Sequence, residues 1–554
     1  MTKYQGYEVA DGTHKTSIDN EWKPVVAKKK AVRGITLTIG VFFDGTGNNR
    51  ENTASRLLKF NECSAPIQGV SQKDAESCED FLKAINKDGF SNGSYRGYFS
   101  NIHWLNLLYK PDQFLTGDQS LAQIKTYVSG IGTASGKSDS IPGMGTGSSL
   151  LDVFEGVVTK TDEAMEGITN AIMEFMEFNT TPDFCIAEIN FDVFGFSRGA
   201  AAARHFSNRV MEQDPAVEKA ITAGLRGEYY DGKKSGQVRF LGLFDTVAAI
   251  GGIKNFFDIN GRDNPGVKLE LRPSVAKKVF QISALNEYRY NFSLNSIKGM
   301  WPELGLPGAH SDIGGGYNPV GSPLQESDNL FLTCPEFEIV SDDTKEVETR
   351  VYRNAENAMQ KLLSNPTLKY LLAHGKITAR TRSVGVLNSN QRRSGIIQKQ
   401  VGAAVLFERN AVPNDWAKVS LRVMLDAAKD AGVIFAPLDP DNPDTTLPAE
   451  LIPLSDKAIA QGKAVRLGQS PQEFTSEELL LIGKYMHCSS HWNIESDRNL
   501  WVDPKSGEIF INRFAAKEDK AFVFPNMPNK NWMRSIWYMD DQQRINNLAV
   551  KKSA

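Results

Sequence analysis

The stretch EINFDVFGFSRGAAAARHF, residues 188–206, runs from an apolar segment through a serine flanked by glycines into a run of alanines. Unbroken hydrophobicity over EINFDVF predicts a buried strand, and RGAAAARHF predicts a helix packed closely against it. Ser197 stands at the junction, between Gly195 and Gly199. In a chain with 46 glycines, GxSxG alone is weak evidence, because its plain reading is a helix-entry turn. The strand-turn-helix setting is more specific. It is what a nucleophile elbow requires, with glycines permitting a sharp turn and a helix N-terminus favouring negative charge beside the hydroxyl.

The flanking sequence repeats the pattern. GITLTIGVFF (34–43) alternates Ile35, Leu37, Ile39, Val41 and Phe43 with smaller residues and runs into the turn signal DGTGNN. QVRFLGLFD (237–245) is an apolar run that stops at a carboxylate. Helical spacing appears in NIHWLNLLY (101–109), through Ile102, Leu105 and Leu108, and again through Ile168, Ile172 and Phe175. Residues 50–100 and 130–149 are polar or Gly/Ser-rich and read as loops. Alternation of strand, helix and Gly-rich loop over 34–320 predicts an α/β fold with a mostly parallel sheet, and its ligand site belongs at the carboxyl ends of the strands.

Length and composition agree with a large globular protein carrying more than one compact core. The 554 residues are 41% hydrophobic and 23% charged, with a formal net charge of −3. That balance gives no global attraction to nucleic acid or to an anionic membrane. No apolar stretch is long enough to span a bilayer, and the start of the chain lacks a signal-peptide core, so synthesis in the cytoplasm is expected. Five scattered cysteines lack CxxC spacing. The expected division is a polar arm over 1–33, a catalytic core over 34–320, an insertion and continuation of that core over 321–435, and an aromatic-rich region over 436–554. The third part includes a helix over 414–432, with Trp416, Val419, Val423 and Met424 on one side, and PLDPDNPD (437–444) reads as a linker.

A serine nucleophile needs a base, a group that orients the base, and donors for the developing oxyanion. In the chain order of an elbow on such a sheet, the acid and then the histidine follow the serine, which removes His14 and His103. His205 lies two turns along the helix from Ser197, facing away from the strand end. His374 reads as a helix-end cation. His487 and His491 in HCSSH have the i, i+4 spacing of a metal pair but no HExxH glutamate and no clear third ligand. His310, in the irregular loop LPGAHSDIGGGY, is the preferred base. Asp245, at the end of its strand, is the preferred acid, with Asp312 as the alternative and as a brace for the histidine loop. The oxyanion donors are expected to be the backbone N–H of Arg198 and one from the loop around Gly45 and Thr46; Asp44 is expected to shape that loop. The scheme needs no metal or other cofactor.

Taken together, FFDGTGNN, YVSGIGT, VFGFSRGAAAARHFSNRV, FLGLFDTVAAIG and PGAHSDIGGGY resemble the catalytic domain of the first family of type VI secretion lipase effectors. The resemblance covers roughly residues 34–320, with a weaker echo in VSLRVMLDAAKDAG. It implies an α/β-hydrolase fold and a Ser-Asp-His triad, with the family's positions falling on Ser197, Asp245 and His310. Phe244 stands where the family often has tryptophan, a conservative departure. The resemblance further implies an antibacterial phospholipase A acting on membrane glycerophospholipids in the periplasm of rival bacteria. A secretion-spike carrier, a cognate immunity protein and a membrane-contacting region outside the hydrolase core are implied as well. Two other readings compete: an intracellular serine esterase on a soluble ester, separated by acyl release from vesicles, and an interaction protein on a hydrolase scaffold, separated by fluorophosphonate labelling of Ser197.

Overall fold

The computed structural model describes residues 4–5, 31–64, 93–133, 135, 156–180, 184–226, 230, 232–248, 266–322, 328–386, 397–492, 526, 528 and 531–539. Its strands run β1 (Tyr4–Gln5), β2 (Ala31–Phe43), β3 (Leu121–Val128), β4 (Phe184–Phe196), β5 (Gln237–Phe244), β6 (Lys278–Ala284), β7 (Leu294–Asn295) and β8 (Glu303–Leu306). Seven of them form one sheet, in which β3, β2, β4, β5, β6 and β8 lie side by side and all pair in parallel. The short β1 adds antiparallel to the start of β2. This is the expected α/β architecture, with helices on both faces of the sheet.

Burial on both faces explains the apolar runs. On one face Ile35, Leu37, Ile39, Val41 and Phe43 of β2 pack with Ile168, Ile172 and Phe175 of helix Val157–Phe178 and with the alanines of helix Arg198–Met211. On the other face Phe42, Phe194, Phe196, Phe240 and Phe244 meet Ile102 and Leu105 of helix Asn101–Leu108. Helix Trp416–Asp430 closes this second face, and its Trp416, Val419, Val423 and Met424 are all fully buried. A strand-interior carboxylate survives because it is paired: Asp192 receives Arg239 Nε at 2.8 Å and the Tyr109 hydroxyl at 3.0 Å.

A second, antiparallel sheet contains β9 (Asp328–Phe331), β10 (Glu336–Ser341), β11 (Lys376–Val386) and β12 (Gln398–Arg409), with β12 central. Its Val401, Val405 and Phe407 share one apolar cluster with the second face of the main sheet, with Val351 and Leu362 of helix Arg350–Leu363, and with Leu454, Ala458 and Ile482 further along. Residues 437–444 cross between two helices of this cluster and are pinned by the Tyr98 hydroxyl on Asp444. Finally β13 (Ile536–Trp537) pairs in parallel with β7.

One expectation is corrected. Residues 50–64, read as part of a polar loop, form helix Arg50–Ser64. Asn49 Oδ1 accepts the amides of Glu51 and Asn52 and so starts it. Its buried side chains include Asn52, Thr53 and Arg56, so hydrophobic periodicity could not reveal it. Most of 130–149, nearly all of the N-terminal arm and Trp501 lie outside the described residues.

Candidate active site

Ser197 follows the last residue of β4. Its amide donates to the Phe244 carbonyl of β5 at 3.1 Å, and its backbone takes φ 58°, ψ −127°. The glycines beside it are required by contact. A Cβ on Gly195 would stand 2.5 Å from the Gly199 carbonyl oxygen, and one on Gly199 would stand 2.2 Å from the carbonyl oxygen of Asp44. Helix Arg198–Met211 therefore packs backbone to backbone against the end of β4 and the loop after β2. The Ser197 side chain does not cap this helix, and the Arg198 amide has no acceptor among the described residues.

Asp245 follows β5 as Ser197 follows β4, and it too has positive φ, 43°. Its amide is tied to the Ile282 carbonyl of β6 at 2.7 Å, which turns the carboxylate beyond the sheet edge. The carboxylate is fully buried. Its Oδ1 accepts the Ala284 amide at 2.9 Å and Arg534 Nη1 at 2.7 Å; its Oδ2 meets His310 Nδ1 at 2.5 Å and accepts Arg534 Nη2 at 2.8 Å. Burial would raise this acid, but the Arg534 guanidinium and His310 outweigh it and hold the carboxyl well below the usual carboxylate range. The ionised carboxylate can only accept, so Nδ1 carries the imidazole proton and Nε2 keeps a lone pair.

His310 opens the short helix His310–Gly314 after β8. Its ring lies 4.6 Å from that of Phe196, the residue before Ser197, and 5.1 Å from that of Phe292. Burial pulls its pKa below the ordinary histidine value, with Asp245 opposing. Its amide donates to Glu287 Oε2 at 3.3 Å. Glu287 is buried, which would raise it, yet the Arg289 guanidinium beside it holds it down at about 2. The structure thus brings Ser197, Asp245 and His310 to one sheet edge. Arranged in this way, the imidazole is held in one tautomer, with Nδ1 on the carboxylate and Nε2 as an acceptor.

The loop after β2 is organised by Asp44. Its Oδ1 accepts the Gly45 amide at 2.7 Å and the Ser100 hydroxyl at 2.6 Å, and its Oδ2 accepts the Tyr127 hydroxyl at 2.6 Å. This corrects the oxyanion assignment in part: the Gly45 amide is directed at Asp44, which removes it as a donor to substrate. Thr46 stays as the loop candidate, and its hydroxyl is buried with no partner among the described residues.

A solved structure described as the Tle1 effector bound to the VgrG spike from the type 6 secretion system is 73% identical to this chain; the match covers 97% of this chain and 100% of that one, with a TM-score of 0.75. The chain belongs to the Tle1 family of type VI secretion phospholipase effectors. Residues 208–332 also match the family described as phospholipase effector Tle1-like, catalytic domain, a span that holds Asp245 and His310 and begins after Ser197. An uncharacterized protein from Pseudomonas aeruginosa aligns at 16% identity over 82% of this chain and 53% of its own, with a TM-score of 0.33, too low to bear on the fold. No curated protein matches.

In this Tle1-family chain His205, His374, His487 and His491 have other partners. His205 Nδ1 accepts the Lys268 amide, and His374 Nε2 meets the Leu480 carbonyl. His487 Nδ1 pairs with Asp312 Oδ1 at 2.6 Å and His491 Nε2 meets Asn526 Nδ2 at 3.1 Å, and among the described residues no group of three or more His, Cys, Asp or Glu gathers as a metal site. Asp312 Oδ2 accepts the amides of Ala309 and His487, each at 2.9 Å, and so braces the loop that carries His310. Ser489 of the same motif donates to Glu287. Sequence reasoning missed Arg534, Glu287 and Arg289. Arg534 lies 289 residues from Asp245, and no spacing rule connects them.

Proposed function

We propose that this Tle1-family effector is a phospholipase A that releases acyl chains from glycerophospholipids by a serine mechanism. Ser197 Oγ attacks the ester carbonyl, His310 Nε2 takes its proton and returns it to the leaving alkoxide, and Asp245 holds the imidazolium that forms between these steps. The tetrahedral oxyanion is received by the Arg198 amide and by Thr46. Water, deprotonated by His310, then frees the fatty acid from Ser197. The observation that carries this reading is the buried His310–Asp245 pair at 2.5 Å, set at the same sheet edge as a strained serine.

The 73% identical structure bound to the VgrG spike supports a spike protein as carrier for this chain as well. Delivery into the periplasm of rival bacteria, and a cognate immunity protein in the producer, belong to the same proposal. Among the described residues no helix is long and apolar enough to cross a membrane. Access to the lipid would then come from surface contact, with the aromatic-rich region after residue 436 as the proposed contributor.

The test uses phospholipid vesicles labelled separately in each acyl chain, with wild type and Ser197→Ala. Release by wild type alone is expected. No release by wild type rejects the phospholipase assignment, and equal release by both proteins rejects Ser197.

A further inference from the structure

We propose that Arg534, from the C-terminal segment, is a positioning residue for the triad acid: its bidentate grip on Asp245 sets both the plane of that carboxylate and the charge felt by His310. The inference rests on the Ser197–His310–Asp245 reading above and extends it to a part of the chain that no catalytic motif touches.

The geometry is specific. Both Asp245 oxygens receive an Arg534 nitrogen, at 2.7 and 2.8 Å, and one of those oxygens is the one that meets His310. The Ala284 amide and the imidazole hold one oxygen each, and the fork of two parallel N–H···O bonds adds a second, charged partner to both oxygens and keeps them in the guanidinium plane. Arg534 is itself held: Nε donates to the Phe292 carbonyl at 2.8 Å and Nη1 to the Ala284 carbonyl at 3.1 Å. Phe292 is one of two residues described above whose rings pack against His310. The backbone on either side is also docked. Leu294 and Ser296 donate to the carbonyls of Ser535 and Trp537, each at 2.9 Å, and the Trp532 ring lies 5.7 Å from that of Tyr288.

Charge gives the grip its chemical consequence. Among the described residues, the charged groups that act most strongly on His310 and its acid are the carboxylates Asp245 and Glu287 and the guanidinium groups Arg289 and Arg534. Together they are neutral, which keeps the imidazole available as a base. Without Arg534 the set would carry one net negative charge, and the imidazolium would be favoured. Arg534 therefore holds the base in its working form while orienting the acid.

The experiment measures the rate at which a fluorophosphonate modifies Ser197 in the full chain, across pH, for wild type, Arg534→Met and Arg534→Lys, alongside thermal unfolding. In Arg534→Met the acid limb is expected to move up by about one pH unit, and the plateau rate to fall on the order of 10²-fold. Arg534→Lys restores the charge but not the fork, so its limb returns to the wild-type position while its plateau stays on the order of tenfold low. An Arg534→Met protein with wild-type limb and plateau overturns the proposal, however much its unfolding temperature falls. If that variant does not fold, Arg534→Lys decides, and a wild-type plateau there overturns it. Wild type that is not modified at Ser197 fails differently, because it removes the triad reading itself.

Discussion

Ser197 and Asp245 each stand one residue beyond a registered pair of neighbouring parallel strands, Phe196 on β4 and Phe244 on β5, and each turns out of its strand with positive φ, 58° and 43°. The Ser197 amide bonds the Phe244 carbonyl, so the two departures are coupled. Leaving a strand abruptly places a side chain beyond the sheet edge. Holding a non-glycine residue in that backbone region costs on the order of 1–3 kcal/mol, which the packed helix and strands around it sustain.

Strain at the serine can be released without changing the fold. Ser197→Gly is expected to be more stable than wild type by about 1 kcal/mol and to release no acyl chains, whereas Ser197→Ala is inactive without that gain. Urea unfolding of the three proteins compares them directly. Equal midpoints for the glycine and alanine variants would show that the elbow stores no strain.

Among the described residues the buried Thr46 hydroxyl has no partner, and in the proposed mechanism it is a donor to the oxyanion. Thr46→Val keeps the shape and removes that donor. Its kcat is expected to fall about 10²-fold, while stability is unchanged or rises, because an unsatisfied buried hydroxyl carries a penalty of about 1–3 kcal/mol. Full activity in Thr46→Val would leave oxyanion binding to backbone amides alone.

The strands are legible because β2, β4 and β5 are buried on both faces, so their apolar runs are unbroken and end at the sheet edge that carries the candidate site. Ser197 and Asp245 could be picked out for that reason, each standing at the end of such a run. His310 was legible from its glycine-rich loop. Helix Arg50–Ser64 was hidden because its buried face carries Asn52, Thr53 and Arg56. The Gly45 amide was misassigned because its capture by the Asp44 side chain depends on a local turn, not on residue type. Arg534 and Glu287 act through ion pairs between distant segments, and such pairs leave no period in a sequence.

Burial lowers the His310 pKa from 6.5, so the acid limb of Ser197 modification is expected below that pH. The sign for stability follows. A histidine whose pKa is depressed on folding contributes stability above its unfolded value and loses it as pH falls toward the folded one. Asp245 and Glu287, also depressed, contribute above the ordinary carboxylate range and lose their contribution at lower pH, through about 2 for Glu287. Urea midpoints should therefore decline from near pH 6.5 downward and more steeply below about pH 4. A wild-type limb at or above 6.5 would contradict the burial argument.

Two aspartates near His310 have different partners, and the difference predicts different losses. Asp245 meets the His310 ring, whereas Asp312 meets the His487 ring and two amides of the loop. Asp245→Asn leaves one acceptor oxygen for the Ala284 amide, the Arg534 fork and His310 Nδ1, so an amide N–H turned to the imidazole selects the wrong tautomer and Arg534 loses its counter-charge. Its kcat is expected to fall by about 10⁴, with stability lower by about 3–5 kcal/mol. Asp312→Asn preserves one acceptor oxygen for the loop and leaves the His310–Asp245 pair intact, so its kcat should stay within about tenfold of wild type, a smaller loss than a 1 Å displacement of the base would cause. Both variants are best compared by fluorophosphonate modification at low temperature, where each is folded. A loss in Asp312→Asn as deep as that in Asp245→Asn would move the role of the acid from the strand end to the histidine loop.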